Sequence, residues 1–287
     1  MAAKRKAWHV LRVCCIWLSV LVIVFPIYWM FLTSIRTLDE SLSFPPRFLP
    51  LQGLTLRNYQ SVLSGQIGGA KEAYGVVTWF KNSMIVSSIV TIFILLLASA
   101  GGYSLARLRF PGKNFLTRFM FIMYLTPGLV LVISLFVLSV KLRLNNKLIG
   151  LVVFESGLGL PMALWLARAF FESLPVEVEE AALIDGCSRW GVIGRVVFPM
   201  ALPGMVVVGF NAFLGSWNSY LLASVLIDNN ALKTLPVGLY IFFQRDMGII
   251  WGEMMAAGVI SSLPVFLLDT YFQRYLIGGM TLGAVKG

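Results

Sequence analysis

"EEAALIDGCSRWGVIGRVVFPMALPG", residues 179–204, lies between two long apolar runs and yet reads as a soluble segment, with Glu179, Glu180, Asp185 and Arg189 in its first half. Just upstream, Pro175 suits the first turn of a helix, where its missing N–H costs nothing. Glu177, Glu179 and Glu180 then set negative charge against the positive end of the helix dipole, each contributing about 0.3–1 kcal/mol. A short helix over about 175–184 is the expectation. Asp185-Gly186 should stop it, because glycine accepts the left-handed conformation of a C-terminal cap, and Ser188 is placed to cap a second short helix. Within the first helix Glu177, Glu180 and Ala181 share a face. Ala181 and Ala182 keep that surface low enough for another protein to approach closely. An ordinary interfacial amphipathic helix is the competing reading of the same residues.

Outward from this segment the chain is apolar. Of its 287 residues 58% are hydrophobic and only 13% charged, against about 25% charged in soluble domains. Runs long enough to cross a ~30 Å hydrocarbon core, about 20 residues each, lie at roughly 14–33, 83–105, 119–140, 148–170, 201–226 and 250–270. The expectation is an all-α membrane protein with six transmembrane helices in a single domain over 1–287, a cytoplasmic loop at 172–200 between spans 4 and 5, and a cytoplasmic tail at 271–287. Pro127, Pro161, Pro203 and Pro264 fall in or at the spans and should kink them.

The net charge of +10 has no basic stripe with interleaved aromatics of the kind nucleic-acid binding needs, so no nucleic-acid partner is expected. It reads instead as a topology signal. Lys4, Arg5, Lys6 and Arg12 precede the first span, and Arg107, Arg109, Lys113 and Arg118 crowd the second connection, which puts both segments and both termini in the cytoplasm by the positive-inside rule. Lys141, Arg143 and Lys147 then fall on an outer turn, but the first helix and its flanks usually dominate orientation. The amino-terminal apolar run lacks a small-residue cleavage site and reads as a retained span. Cys14, Cys15 and Cys187 have no metal or redox spacing.

Several chemistries have no residues to carry them. There is no G-x-x-x-x-G-K-[ST] phosphate loop, so any ATP that drives the protein must be bound by another polypeptide. The one histidine, His9, stands alone, and neither H-E-x-x-H nor G-x-S-x-G occurs, which leaves no catalytic or metal constellation for an intramembrane enzyme. A self-contained secondary transporter or channel would need its own ion-coupling charges inside the bundle. Glu155 is the deep candidate, while Glu253 and Asp269 lie near the ends of the last span. Glu155 either lines a polar path or pairs with a neighbouring helix. For a polar path, Asn211, Ser216, Trp217, Asn218 and Tyr220 offer amides, hydroxyls and aromatic faces of the kind sugars need, or interhelical hydrogen bonds.

The pattern E-A-A, three residues, G, nine residues, I-x-L-P resembles the cytoplasmic loop of ATP-binding-cassette importer permeases. Here it reads Glu180-Ala181-Ala182, Gly186, then Val196-Val197-Phe198-Pro199, with apolar residues replacing apolar ones. The likeness covers nearly the whole chain and is greatest to the carbohydrate-uptake branch, in particular its maltose-type inner-membrane subunit. "SFPPRFLPLQGLTLRNYQSVL" (43–63), "GGYSLARLRFPGKN" (101–114), "SWNSYLLASVLI" (216–227) and "GGMTLGAVKG" (278–287) carry it. Ser219 departs from the acidic residue common after Trp-Asn. This resemblance implies the type I importer fold in a bacterial cytoplasmic membrane. It also implies a second permease subunit, two ATPase subunits that hold ATP and Mg, and an external solute-binding protein, with no cofactor on this chain. Glu177, Glu180, Ala181, Ala182, Asp185, Gly186 and Pro199 would belong to a coupling helix and loop seated on the ATPase, and residues 228–248 would reach toward the binding protein.

Overall fold

Because a bilayer offers backbone groups no water, spans of this kind satisfy their N–H and C=O groups internally, and helix is the outcome almost throughout. The computed structural model describes residues 2–49, 53–67, 70–71, 74–244 and 247–284. In order these form α1 (Ala2–Ser34), α2 (Leu38–Ser41), α3 (Arg57–Ser64), α4 (Val76–Arg107), α5 (Lys113–Leu125), α6 (Gly128–Lys141) and α7 (Leu148–Ser173). They continue as α8 (Val176–Ile184), α9 (Arg189–Val192), α10 (Phe198–Trp217), α11 (Leu221–Leu226), α12 (Leu235–Gln244) and α13 (Met247–Ala284). A π-helical stretch, Ile193–Val197, joins α9 to α10. Among the described residues the only extended pairing is a two-residue antiparallel ladder, Gln66–Ile67 against Ala70–Lys71.

Among the described residues five helical stretches are long and apolar enough to cross a membrane: Leu11–Ser34, Val76–Arg107, Leu148–Ser173, Arg189–Trp217 and Ile250–Gln273. The third expected span, 119–140, is not one helix. α5 and α6 meet at an angle of 99° and make a sixth crossing only as a bent pair. The cause is Pro127, which has no N–H to donate and drives Thr126 out of the helical region, to φ −72° and ψ 121°. Likewise the expected fifth span, 201–226, stops at Trp217, and Asn218, Ser219 and Tyr220 separate α10 from α11. Pro161, Pro203 and Pro264 lie inside continuous helices. Pro199 sits in the first turn of α10, directly after the π-helical stretch, so it does not separate the loop from the span.

The chain sorts into two compact units. One comprises Met1–Val77 and Leu239–Leu263. There the Asn58 amide donates to the carbonyls of Ser34 and Arg36, each at 2.9 Å, clamping α3 to the end of α1. The first part of α13 packs on α1 through Gly258, where an added Cβ would stand 3.2 Å from Met30 Sδ.

The other unit comprises Thr78–Gly238 and Pro264–Gly287. Its core is the meeting of α4, α7 and α10, with Val90, Ile94, Ala98, Leu151, Ala167 and Val208 among the buried residues. Small residues let these backbones approach, as membrane helices require. A Cβ on Gly102 would come within 2.6 Å of Ala167 Cβ and 3.1 Å of its backbone. At the opposite end of α4, Asn82 Nδ2 donates to the carbonyls of Ala231 and Lys233, both at 2.9 Å, and Trp79 Nε1 donates to Asn230 at 3.1 Å. Those bonds pin the start of the long 228–248 connection; residues 245 and 246 of it lie outside the described residues.

Candidate functional site

Two regions of the second unit gather the residues singled out in the sequence. The first is α8 and its flanks. Pro175 stands at the N-cap position and Glu177 and Glu179 in the first turn, while Asp185 closes the helix and Gly186 takes the left-handed φ of +87°. Ser188 Oγ accepts from the Gly191 N–H at 3.2 Å and so caps α9. Glu177, Glu180, Ala181, Asp185, Gly186 and Pro199 are exposed, and Ala182 is half-buried against the core.

Two features here escaped the sequence reading. Ile184 and Trp190 project into solvent, 85% and 84% exposed, at the turn between α8 and α9. Large apolar side chains left bare on a charged surface segment mark a contact surface. The second feature is a brace under α8. Arg107 Nε donates to Glu179 Oε1 at 2.6 Å, Arg107 Nη2 donates to the Leu174 carbonyl at 2.8 Å, and the Tyr103 hydroxyl donates to Glu179 Oε2 at 3.1 Å. Both ion-pair side chains are only 12% exposed. The last turn of α4 thus holds the first turn of α8 by one forked guanidinium, a geometry that lysine cannot reproduce. In the sequence Arg107 has the look of a topology charge, and nothing local to it points to a partner 72 residues away.

The second region is a cleft of about 400 Å³ among α4, α5, α7, α10 and α11. Glu155, Asn211 and Ser216 line it, joined by Ser219 and Tyr124. Ser216 donates its hydroxyl to Glu155 Oε2 across the α7–α10 contact, and Asn211 Nδ2 is bonded to the Val207 carbonyl at 2.9 Å. Trp217, Asn218 and Tyr220 are not on this wall. The Trp217 ring is buried, edge-on to Phe80 at 5.5 Å and stacked on Phe213 at 5.6 Å, so its faces are covered by protein. Asn218 and Tyr220 are exposed in the break after α10. The cleft can therefore receive a ligand of modest size, among a few polar groups and many apolar side chains. Among the described residues no group of three or more His, Cys, Asp or Glu could hold a metal, and the three cysteines are free.

Comparison with known proteins identifies the family of the chain. The family model described as "Binding-protein-dependent transport system inner membrane component" matches residues 98–281. The chain is 33% identical to the inner membrane ABC transporter permease protein YcjP of Escherichia coli (strain K12), over 99% of each chain. It is 30% identical to the trehalose/maltose transport system permease protein MalG of Thermococcus litoralis, over 94% of each. In fold it is similar to a chain of the crystal structure of a bacterial ABC transporter involved in the import of the acidic polysaccharide alginate. That match has a TM-score of 0.78 at 20% identity and covers 95% of this chain and 97% of the other. The chain thus belongs to the family of binding-protein-dependent transport system inner membrane components, and is a permease subunit of an ABC importer.

Proposed function

We propose that this subunit carries a saccharide or polyol across a bacterial cytoplasmic membrane by alternating access, paired with a second permease chain. Two ATPase subunits bind ATP and Mg and drive it, and an external solute-binding protein delivers the cargo. The observation that carries the reading is α8. It is short, exposed and braced from beneath, with Glu180 and Ala181 outward and Ile184 and Trp190 bare beside them. Such a knob fits a socket on a partner, and a rigid knob transmits the partner's closure to a bundle with two discrete packings. The relatives named for trehalose and maltose support a sugar as cargo. Clustered basic residues around Arg107 and in the first turns of α1 support a cytoplasmic placement for α8 and both termini.

The test is sugar-stimulated ATP hydrolysis by the reconstituted complex with its binding protein, comparing wild type with Glu180→Lys and checking assembly on the same preparation. Loss of stimulation or of ATPase retention is the expected result. Unchanged assembly and stimulation would mean that α8 is an interfacial helix and not the coupling element.

A further inference from the structure

Glu155 stands on α7 about 10 Å along the helix from its start at Leu148. The residue is 8% exposed and lines the cleft. One carboxyl oxygen takes the Ser216 hydroxyl, and the Ser219 hydroxyl is a second hydrogen-bonding neighbour of the carboxyl group, whose Oε1 is itself buried. Intramembrane acidic groups are expensive and serve substrate or ion paths by default. No Lys, Arg or His lines the cleft to neutralise the carboxyl group. Ser219 adds a hydroxyl, and Ile94, Leu158, Met162 and Val208 supply an apolar wall. The volume of about 400 Å³ lies within the range of small-molecule sites, about 300–1,000 Å³.

A ligand that suits this wall brings hydrogen-bond donors on one edge and C–H surface on the other, and brings no negative charge. A saccharide hydroxyl in the cleft would join the Ser216 and Ser219 hydroxyls around the carboxyl group. A uronate or sulfonate would give up its water in a cleft whose lining offers no cation to replace it, which is costly for any unpaired anion. Resting on the reading of the chain as a sugar permease, we propose that Glu155 is the selectivity-determining contact of this cleft, accepting a hydroxyl of an uncharged saccharide and excluding acidic ones.

The test uses the complete purified complex and dicyclohexylcarbodiimide, an apolar reagent for buried carboxyl groups, with labelling of Glu155 followed by mass spectrometry. Maltose, trehalose and diacetylchitobiose are compared with digalacturonate and trigalacturonate. At least one neutral saccharide is expected to slow labelling about fivefold or more while the uronates leave it unchanged, as charge exclusion requires. Labelling that no saccharide slows, or that uronates slow equally, overturns the proposal. Sugar-stimulated ATPase on the same preparation separates the two ideas, since stimulation without protection overturns the Glu155 assignment and leaves the importer reading standing. A second arm moves the carboxylate within the cleft. Glu155→Ser is expected to raise trigalacturonate binding about tenfold, and Glu155→Ser with Ser219→Asp to abolish that gain, because residues 155 and 219 line the same cleft. If the double variant binds trigalacturonate as the single one does, the charge is not what discriminates.

Discussion

Replacing Arg107 with alanine tests whether α8 is held as a rigid lever. The side chain makes one charged bond to Glu179 at 2.6 Å and one to the Leu174 carbonyl at 2.8 Å, both largely shielded from water. Hydrogen bonds to charged groups contribute about 1.5–3 kcal/mol each, and Glu179 keeps the Tyr103 hydroxyl after the change. A loss of about 2–3 kcal/mol in the docking of α8 is therefore expected, which raises the undocked population about 30- to 150-fold. The chain carries its own reporter. Cys187 is half-buried and packs against the core directly after α8. Its labelling by a maleimide should follow the undocked population, with Cys14 and Cys15 replaced by serine to clear the background.

Labelling of Cys187 at least about tenfold faster in Arg107→Ala is the expected result, with Arg107→Lys intermediate because lysine keeps the charge but not the fork. Exchanging the two charges, Arg107→Glu with Glu179→Arg, should recover part of the protection. Thermal unfolding of the whole subunit should move little, because the three-helix core of α4, α7 and α10 is untouched. Identical labelling rates for wild type and Arg107→Ala would refute the brace. A lowered unfolding midpoint with proportional labelling everywhere would assign Arg107 to global stability instead.

Two further outcomes follow from packing. Gly102→Val forces carbon into space already held at 2.6 Å by Ala167, with backbone at 3.1 Å, and should destabilise the α4–α7 contact by about 1–3 kcal/mol, read as a lower unfolding midpoint. Asn82→Ala removes both bonds that hold the Ala231 and Lys233 carbonyls, and should free the 228–235 segment for protease cleavage while leaving the maleimide labelling of Cys187 at its wild-type rate.

What the sequence reveals of this protein follows from how local each signal is. The α8 turn is legible because its start, stop and cap are written in neighbouring residues: Pro175, three glutamates, Gly186 and Ser188. Apolar length likewise marks where helices run. The break at Pro127 is half legible, since proline foretells a kink but the 99° angle is set by what α5 and α6 pack against. Distant pairing leaves no local trace. Arg107 looks like a topology charge until Glu179 is beside it, and Ser219 looks incidental until α7 brings Glu155 to the same cleft. Trp217 misleads for the converse reason. An indole suits a sugar face or a helix contact equally, and only the positions of Phe80 and Phe213 decide that it is buried.

Two physical routes connect α8 with the cleft. One is covalent: after Ser188 the chain is helical from Arg189 to Trp217, 29 residues or about 43 Å, and Ser216 near its far end holds Glu155. The π-helical stretch Ile193–Val197 interrupts the regular ladder, yet buried Val192 and Val197 anchor it on either side, so the route stays packed. The other route is the brace, through which Arg107 at the end of α4 ties α8 to the helix that also carries Val90 and Ile94 on the cleft wall. In the proposed importer a displacement of α8 reaches both sides of the cleft only while both routes hold. Cutting the brace leaves α10 still connected, so Arg107→Ala should lower sugar-stimulated ATP hydrolysis in part, whereas Glu180→Lys, which acts before the routes divide, should abolish it. Equal and complete loss in the two variants would mean that α4 is the sole transmitter and α10 only a scaffold.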